Sequence, residues 1–286
     1  MKLYEVSDQY IGFLHSYDDK VLSNHEKDRT QIRPYLSGII IKKSNYNYFI
    51  PLSSPDDADL DKDGNVRHST MTIKRLFNKK VFLGKLLINN MIPILESEIS
   101  EKDLSKNNKS NDDKKYIDLM NNQLSQIKNI MSDIIKSSNV IYNQKHISRE
   151  NSYWDNKKYP GYLNATVNFS LLEQACTLWE KYPGIKNNLV DINDIKIIND
   201  YIRHKDTGYS TSMLEGKHFI YNNDLYRIDQ LALKPLGSDS AILTKLNISG
   251  EEKYVDNNFT SDAKFNLHLQ KIDSKSLSNF KDINSK

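Results

Sequence analysis

The chain has 286 residues, enough for one large domain or two modest ones with an ordinary core and no disulfide framework. Its 40 Lys and Arg against 37 Asp and Glu leave a net charge of only +3, so binding to nucleic acid would have to come from a local patch and not from a bulk excess. A single cysteine, Cys176, excludes an intramolecular disulfide and a cysteine-rich zinc module, and fits a reducing cytoplasm.

The stretch Met1-Lys2-Leu3-Tyr4-Glu5-Val6 is broken by charge before a signal-peptide core can form, and no apolar run approaches membrane-spanning length, so a soluble protein is expected. From residue 1 to about 90 the chain alternates short β-type runs with polar turns: Leu3 to Val6, Leu36 to Ile41, Tyr46 to Leu52, Thr70 to Leu76 and Leu83 to Ile88. Close spacing favours a small antiparallel sheet or barrel, with Ser44-Asn45 turning the second run into the third. Residues 101–113 read as a polar surface loop. Beyond them Tyr116, Met120, Leu124, Ile127, Met131, Ile134, Ser138 and Ile141 recur at helical spacing and predict one long helix packed on the sheet. A second helix is expected from Ser170 to Lys181, with Ser170 and Glu173 as a capping box and Pro183-Gly184 as its stop. Asp191 to His204 predicts another helix, and 217–257 alternates in β fashion around turns at Asn222-Asn223, Gly237-Ser238 and Ser249-Gly250. The chain therefore divides into residues 1–184 and an appended α+β region, 185–286, with a polar tail from about Ser274.

Several motifs resolve to ordinary readings. Asp59-Leu60-Asp61-Lys62-Asp63-Gly64 opens like a calcium loop, but the twelfth position is Thr70 where a bidentate glutamate is needed, so an acidic turn is the reading. Cys176 lies on the apolar face of the second helix and is expected to be buried and inert. The seven histidines show no metal-ligand spacing, and neither a Walker loop nor a dinucleotide fingerprint is present, so no metal and no cofactor are expected. Ser53-Ser54 closes a predicted strand between Pro51 and Pro55; serines there serve turn chemistry or a site, and spacing alone does not choose.

A set of collinear motifs carries more. Leu3-Tyr4, Tyr10-Ile11, Asp19-Lys20-Val21, Arg33-Pro34-Tyr35-Leu36-Ser37-Gly38-Ile39-Ile40, Tyr48-Phe49-Ile50-Pro51-Leu52-Ser53-Ser54-Pro55, Ile73-Lys74, Leu83-Gly84-Lys85-Leu86-Leu87-Ile88-Asn89-Asn90-Met91-Ile92-Pro93-Ile94 and Phe169-Ser170-Leu171-Leu172-Glu173 follow one another in order over residues 1–182. Together they resemble the ToxN/AbiQ-like endoribonuclease toxins of type III toxin-antitoxin systems. The resemblance implies an α+β fold built on a small antiparallel β-barrel related to MazF/Kid-like toxins with added helices. It also implies metal-independent RNA cleavage, inhibition by a repeated RNA pseudoknot antitoxin, an RNA-bridged oligomer, and growth arrest or phage defence in a bacterial cytoplasm. Cellular or phage RNA would be the substrate, and no membrane partner is expected.

Residue by residue, the resemblance implies that Ser54, with Ser53 beside it, contacts the scissile phosphate or helps relay a proton, and that Arg33 and Lys74 supply charge. Arg33 would clamp the phosphate through paired donors. Tyr10 is a candidate to stack on or hydrogen-bond a nucleotide, with core packing as its alternative, and Lys85 is a further RNA-binding candidate. Many relatives carry lysine after the Ser-Pro pair where this chain has Asp56, so Arg67, Lys62 or Lys74 must replace that cation or the site is weakened. The relatives' tyrosine ahead of the Arg33 region has no counterpart at Arg29 or Thr30. Two alternatives stand beside the enzyme: an RNA-binding module weakened in catalysis by Asp56, and a protein-interaction subunit that only shares the fold. In the appended region Lys217, His218, Tyr221, Tyr226 and Arg227 form either an RNA contact or a charged strand surface.

Overall fold

The computed structural model describes residues 1–25, 32–107, 109–155, 157–203, 213–232, 239–259 and 265–272. The chain forms two compact units, Met1–Cys176 and Thr177–Lys286, whose boundary falls inside one helix.

In the first unit, β1 (Leu3–Val6) leads directly into α1 (Asp8–Tyr17). Ser7 caps that helix, its hydroxyl accepting the Tyr10 amide at 3.3 Å, and Asp8 places a negative charge at the positive end of the helix dipole. Tyr10, Ile11, Phe13, Leu14 and Tyr17 recur with helical period and are all buried. Each large apolar side chain so removed from water contributes about 1.5–3 kcal/mol. The reading of this stretch as strands and turns alone missed α1, whose ten residues are tucked between two β-type runs.

The strands that follow are β2 (Tyr35–Ile40), β3 (Asn47–Ser53), β4 (Ile73–Asn78), β5 (Val81–Leu87), β6 (Ile92–Pro93) and β7 (Ile99–Glu101). The turn at Ser44-Asn45 pairs β2 with β3 antiparallel, Leu36 opposite Ile50 and Ile39 opposite Tyr48. The sheet order is β4-β5-β3-β2-β1-β7, with β6 added to β3. Among the described residues β4 and β7 do not pair with each other. Closure requires the outermost strands to share hydrogen bonds, so the expected closed barrel is an open, seven-stranded antiparallel sheet.

The predicted long helix is two helices, α2 (Asn111–Asn129) and α3 (Met131–Lys145), because Ile130 leaves helical geometry at φ −114° and ψ 14°. The apolar stripe nevertheless carries across the break: Met120, Ile127, Ile134, Ser138 and Ile141 are buried. Helix α4 (Phe169–Lys181) starts one residue before Ser170, and Asn168 Oδ1 accepts the Leu171 amide at 3.3 Å. Glu173, expected in a capping box, instead accepts hydrogen bonds from Ser44 (2.5 Å), Tyr48 (2.9 Å) and Tyr142 (3.0 Å). Cys176 is fully buried beside the Tyr10 hydroxyl at 2.8 Å.

The second unit holds α5 (Ile185–Asn188), α6 (Ile192–Arg203) and a five-stranded antiparallel meander of β8 (His218–Tyr221), β9 (Asp224–Ala232), β10 (Asp239–Leu246), β11 (Glu251–Phe259) and β12 (Leu269–Lys271). Asn222 and Asn223, at φ 51° and 64°, make the tight turn between β8 and β9. Ile195 of α6 joins Phe219, Ile228, Leu243 and Phe259 in the core. The Gly237-Ser238 turn, His204 and the tail from Ser274 lie outside the described residues.

The candidate RNA cluster of this unit is not an open basic surface. His218 and Tyr226 are buried, and Arg227 is bonded to Asp229 at 2.8 Å and to Glu251 at 3.3 Å. Burial, reinforced by the Arg227 charge across the strand pair and only partly offset by Asp229, Glu251 and a Gly216 backbone contact, pulls the His218 imidazole down to about 4 from an ordinary 6.5. The unfolded chain binds that proton near pH 6.5 while the fold resists it until about pH 4, so stability falls as pH drops through this window, by about 3 kcal/mol in total. Urea unfolding of the second unit should show this loss, and His218→Gln should flatten it.

Candidate active site at the end of strand β3

Six consecutive residues of β3, Tyr48 to Ser53, are buried, and the strand surfaces only as it ends, at half-buried Ser54 and exposed Pro55. There a cleft opens, with Ser53, Ser54, Arg33 and Asn24 on one side and Tyr116, Met120 and Gln123 of α2 on the other. Arg33 is anchored in the wall: Nε donates to the Ser23 carbonyl at 3.1 Å and Nη1 to the Leu52 carbonyl at 2.9 Å, one residue before the serine pair. Burial lowers its pKa from the ordinary value, yet a guanidinium stays cationic at neutral pH. Asn24 is itself fixed, donating to the Val6 carbonyl at 2.8 Å and to Asp8 at 2.9 Å, while its own carbonyl accepts the Arg33 amide at 3.2 Å.

The backbone of β5 sets the height of this strand end. Gly84 adopts φ +125°, and a Cβ there would lie 2.6 Å from the Ser53 carbonyl oxygen and 2.8 Å from Gln123 Nε2. Only glycine permits that approach. Gln123 Nε2 donates to the Leu83 carbonyl at 2.6 Å, so helix α2, strand β5 and the serine pair are held together at one point.

Across the sheet Ser53 stands opposite Lys85, and Lys85 opposite Arg75. The acidic run folds back onto this row: Asp59, fully buried, takes Lys85 at 2.7 Å and Arg75 at 3.0 Å, and Asp56 takes Lys85 at 2.8 Å. Burial alone would raise the Asp59 carboxyl. The Lys85 hydrogen bond, the Asp56 amide and the charges of Lys85 and Arg75 outweigh it and hold the group below the ordinary carboxylate value. Asp56 therefore does not confront a phosphate as an uncompensated charge. Asp61 is also occupied, accepting the Asp63 and Asn65 amides at 2.9 Å, so two oxygen donors that a calcium loop would use are already committed to the protein.

The other candidates are placed differently. Lys74 pairs with Leu86, in the row next to the Ser53–Lys85–Arg75 row and on the opposite face of the sheet, and its ammonium is bonded to Asp133 at 2.6 Å. It does not line the cleft. Tyr10 is fully buried and donates to the Pro93 carbonyl at 3.2 Å, which leaves no ring face for a nucleotide; the core role won because the tyrosine sits on the inward face of α1. Lys62 and Arg67 are exposed on the loop after β3, where Arg67 Nε donates to the Leu60 carbonyl at 2.8 Å, and neither lines the cleft. Lys85 is buried and neutralised by Asp56 and Asp59, a strut under the serines. Arg29 and Thr30 lie outside the described residues. Sequence reasoning passed over Asn24 and Gln123; Gln123 had one legible signal, a polar residue on the buried helix face between Met120 and Ile127.

The fold and the site together define an α+β protein whose antiparallel sheet ends in paired hydroxyls beside an arginine, facing one helix. The chain belongs to the family of toxin ToxN of type III toxin-antitoxin systems, whose model matches residues 2–177. It is 32% identical to the endoribonuclease AbiQ of Lactococcus lactis subsp. lactis over 184 residues, spanning 63% of this chain and 90% of that one. It is 30% identical to the endoribonuclease ToxN of Bacillus thuringiensis subsp. kurstaki over 175 residues, 61% of this chain and 82% of the relative. A solved structure described as showing selective toxin inhibition by a non-coding RNA pseudoknot matches with a TM-score of 0.51 and 28% identity, covering 63% of this chain and 98% of that one.

Proposed function

We propose that this protein is the endoribonuclease toxin of a type III toxin-antitoxin system, acting in the bacterial cytoplasm, with the site of cleavage at the end of β3 and an RNA pseudoknot as its inhibitor. The observation that carries the site is the convergence of Ser53, Ser54 and Arg33 on one cleft. Among the described residues lining it there is no carboxylate and no histidine, whereas a hard cation such as magnesium is bound through carboxylate oxygens. This donor set fits cleavage in which the RNA supplies its own nucleophile. The ribose 2′-oxygen attacks the adjacent phosphorus, the bond to the 5′-oxygen breaks, and the proton lost by the 2′-hydroxyl is balanced by one gained at the leaving oxygen. The products are a 2′,3′-cyclic phosphate and a 5′-hydroxyl. Arg33 stabilises the charge that accumulates on the phosphoryl oxygens, and the Ser54 hydroxyl donates a hydrogen bond to one of them.

Growth arrest as a phage defence, an RNA-bridged oligomer and a kinship of the antiparallel sheet with MazF/Kid-like toxins belong to the same proposal, and rest on the family resemblance. The second unit lies beyond the family match, and its 15 Lys and Arg balance 15 Asp and Glu from Thr177 to Lys286. That neutrality favours a role other than a bulk electrostatic footprint for RNA.

Purified protein incubated with RNA in excess EDTA tests the reading. Fragments ending in 2′,3′-cyclic phosphate and beginning with 5′-hydroxyl are expected. Intact RNA bound with salt-dependent affinity would instead support a binding module that has lost catalysis, and the absence of both would support a protein-interaction subunit.

A further inference from the structure

Gln123 lies on the same face of α2 as Tyr116 and Met120, and with them walls the cleft opposite Ser53 and Ser54. It is 1% exposed. Its Nε2 donates to the Leu83 carbonyl, which fixes the amide's orientation, since a flip would set one carbonyl oxygen against another. The other end of the amide, Oε1, is buried and has no hydrogen-bond partner among the described residues. Nε2 and the Ser54 Cα both crowd the same point above Gly84, so this unpaired acceptor belongs to a side chain adjacent to the serine pair. A buried polar atom left unpaired is costly, and one that lies beside a cleft gains from any donor the cleft admits.

We propose that Gln123 is a specificity-determining residue: its Oε1 accepts a hydrogen bond from the exocyclic amine of a nucleobase next to the scissile phosphodiester, so the site selects adenine or cytosine over bases that present a carbonyl there. The inference rests on the endoribonuclease reading above. The cleft suits such an occupant. Tyr116, half-buried in the cleft wall, offers aromatic surface to the face of a base, while Arg33 takes the phosphate and the locked amide reads the edge. Because Oε1 can only accept, a base that turns a carbonyl toward it meets repulsion and leaves both oxygens unpaired. A site built around a specific hydrogen bond rejects an analogue lacking it more strongly than an apolar pocket rejects a change of size.

Short RNAs with one cleavage site, carrying adenosine or inosine, and cytidine or uridine, at each position flanking the scissile bond, exchange the amine for a carbonyl and turn the neighbouring ring nitrogen from acceptor to donor, while purine riboside in place of adenosine removes the amine alone. At one of the two positions the wild-type kcat/KM is expected to fall about 10- to 100-fold on losing the amine. Gln123→Leu, which keeps the bulk and removes the acceptor, should cleave the amine and carbonyl substrates at nearly equal rates, and Gln123→Met serves the same purpose if the leucine variant does not fold. Wild-type protein that cleaves RNA with no amine preference at either position overturns the inference alone. So does a preference that survives in the variants, including a loss of rate equal for all bases, which would mark Gln123 as a positioning residue for the serine pair. Wild-type protein that cleaves no RNA overturns the endoribonuclease reading and this inference with it.

Discussion

Ser54→Ala is expected to slow metal-free RNA cleavage by about 10²- to 10³-fold while leaving folding and RNA affinity close to those of the wild type, the cost typical of removing one donor to a developing oxyanion. The residue is half-buried at the mouth of the cleft, and among the described residues its hydroxyl engages no other side chain or backbone group, so its loss removes nothing the fold relies on. Ser53 offers a contrast. It is 7% exposed and its hydroxyl is turned onto the Ser54 carbonyl at 3.4 Å, so Ser53→Ala should affect the rate less and stability somewhat more. Single-turnover cleavage in EDTA, with RNA binding measured in parallel on each variant, separates the two serines. An unchanged rate in Ser54→Ala would remove this residue from the chemistry and move attention to the Tyr116 hydroxyl across the cleft.

Much of this arrangement was legible in the amino-acid order, for definite reasons. β2 and β3 could be read and paired because their β-branched and aromatic runs flank a short polar turn, and the helical stripe from Met120 to Ile141 announced its buried face. What escaped was long-range. Lys74 and Lys85 look alike in a strand, yet parity across the sheet sends them to opposite faces, one to Asp133 and the other to Asp56 and Asp59. The acidic stretch Asp56 to Asp63 reads as a charge run that would repel phosphate, and only the fold shows Asp59 neutralised by Arg75 and Lys85. Tyr10 could be stacked on a base or packed in a core until the inward face of α1 was known. The closed barrel failed for a related reason: local propensity predicts strands, but not whether the outermost two meet.

Gly84→Ala should damage both stability and catalysis, although it adds a single methyl group. The position holds φ +125°, a conformation that costs an L-residue about 1–3 kcal/mol. The new Cβ would in addition sit 2.6 Å from the Ser53 carbonyl oxygen, a backbone atom that moves only if the strand end moves. Overpacking of this kind costs about 1–3 kcal/mol more, so a total of about 2–6 kcal/mol is expected. The displaced atoms are those of the serine pair and of the Gln123 amide, and a shift of the order of 1 Å at a reacting centre is enough to cost about 10²-fold in rate. Gly64→Ala is the matched control. Gly64 also has positive φ, at +79°, but nothing lies within 4 Å of its Cβ position and it sits on the loop after β3, so only the conformational cost should appear, with cleavage unchanged. Urea unfolding and cleavage rates, both measured below the unfolding temperature of the weaker variant, read the difference. If Gly84→Ala behaves like Gly64→Ala, then the close approach of β5 is not what holds the end of β3 at its working height.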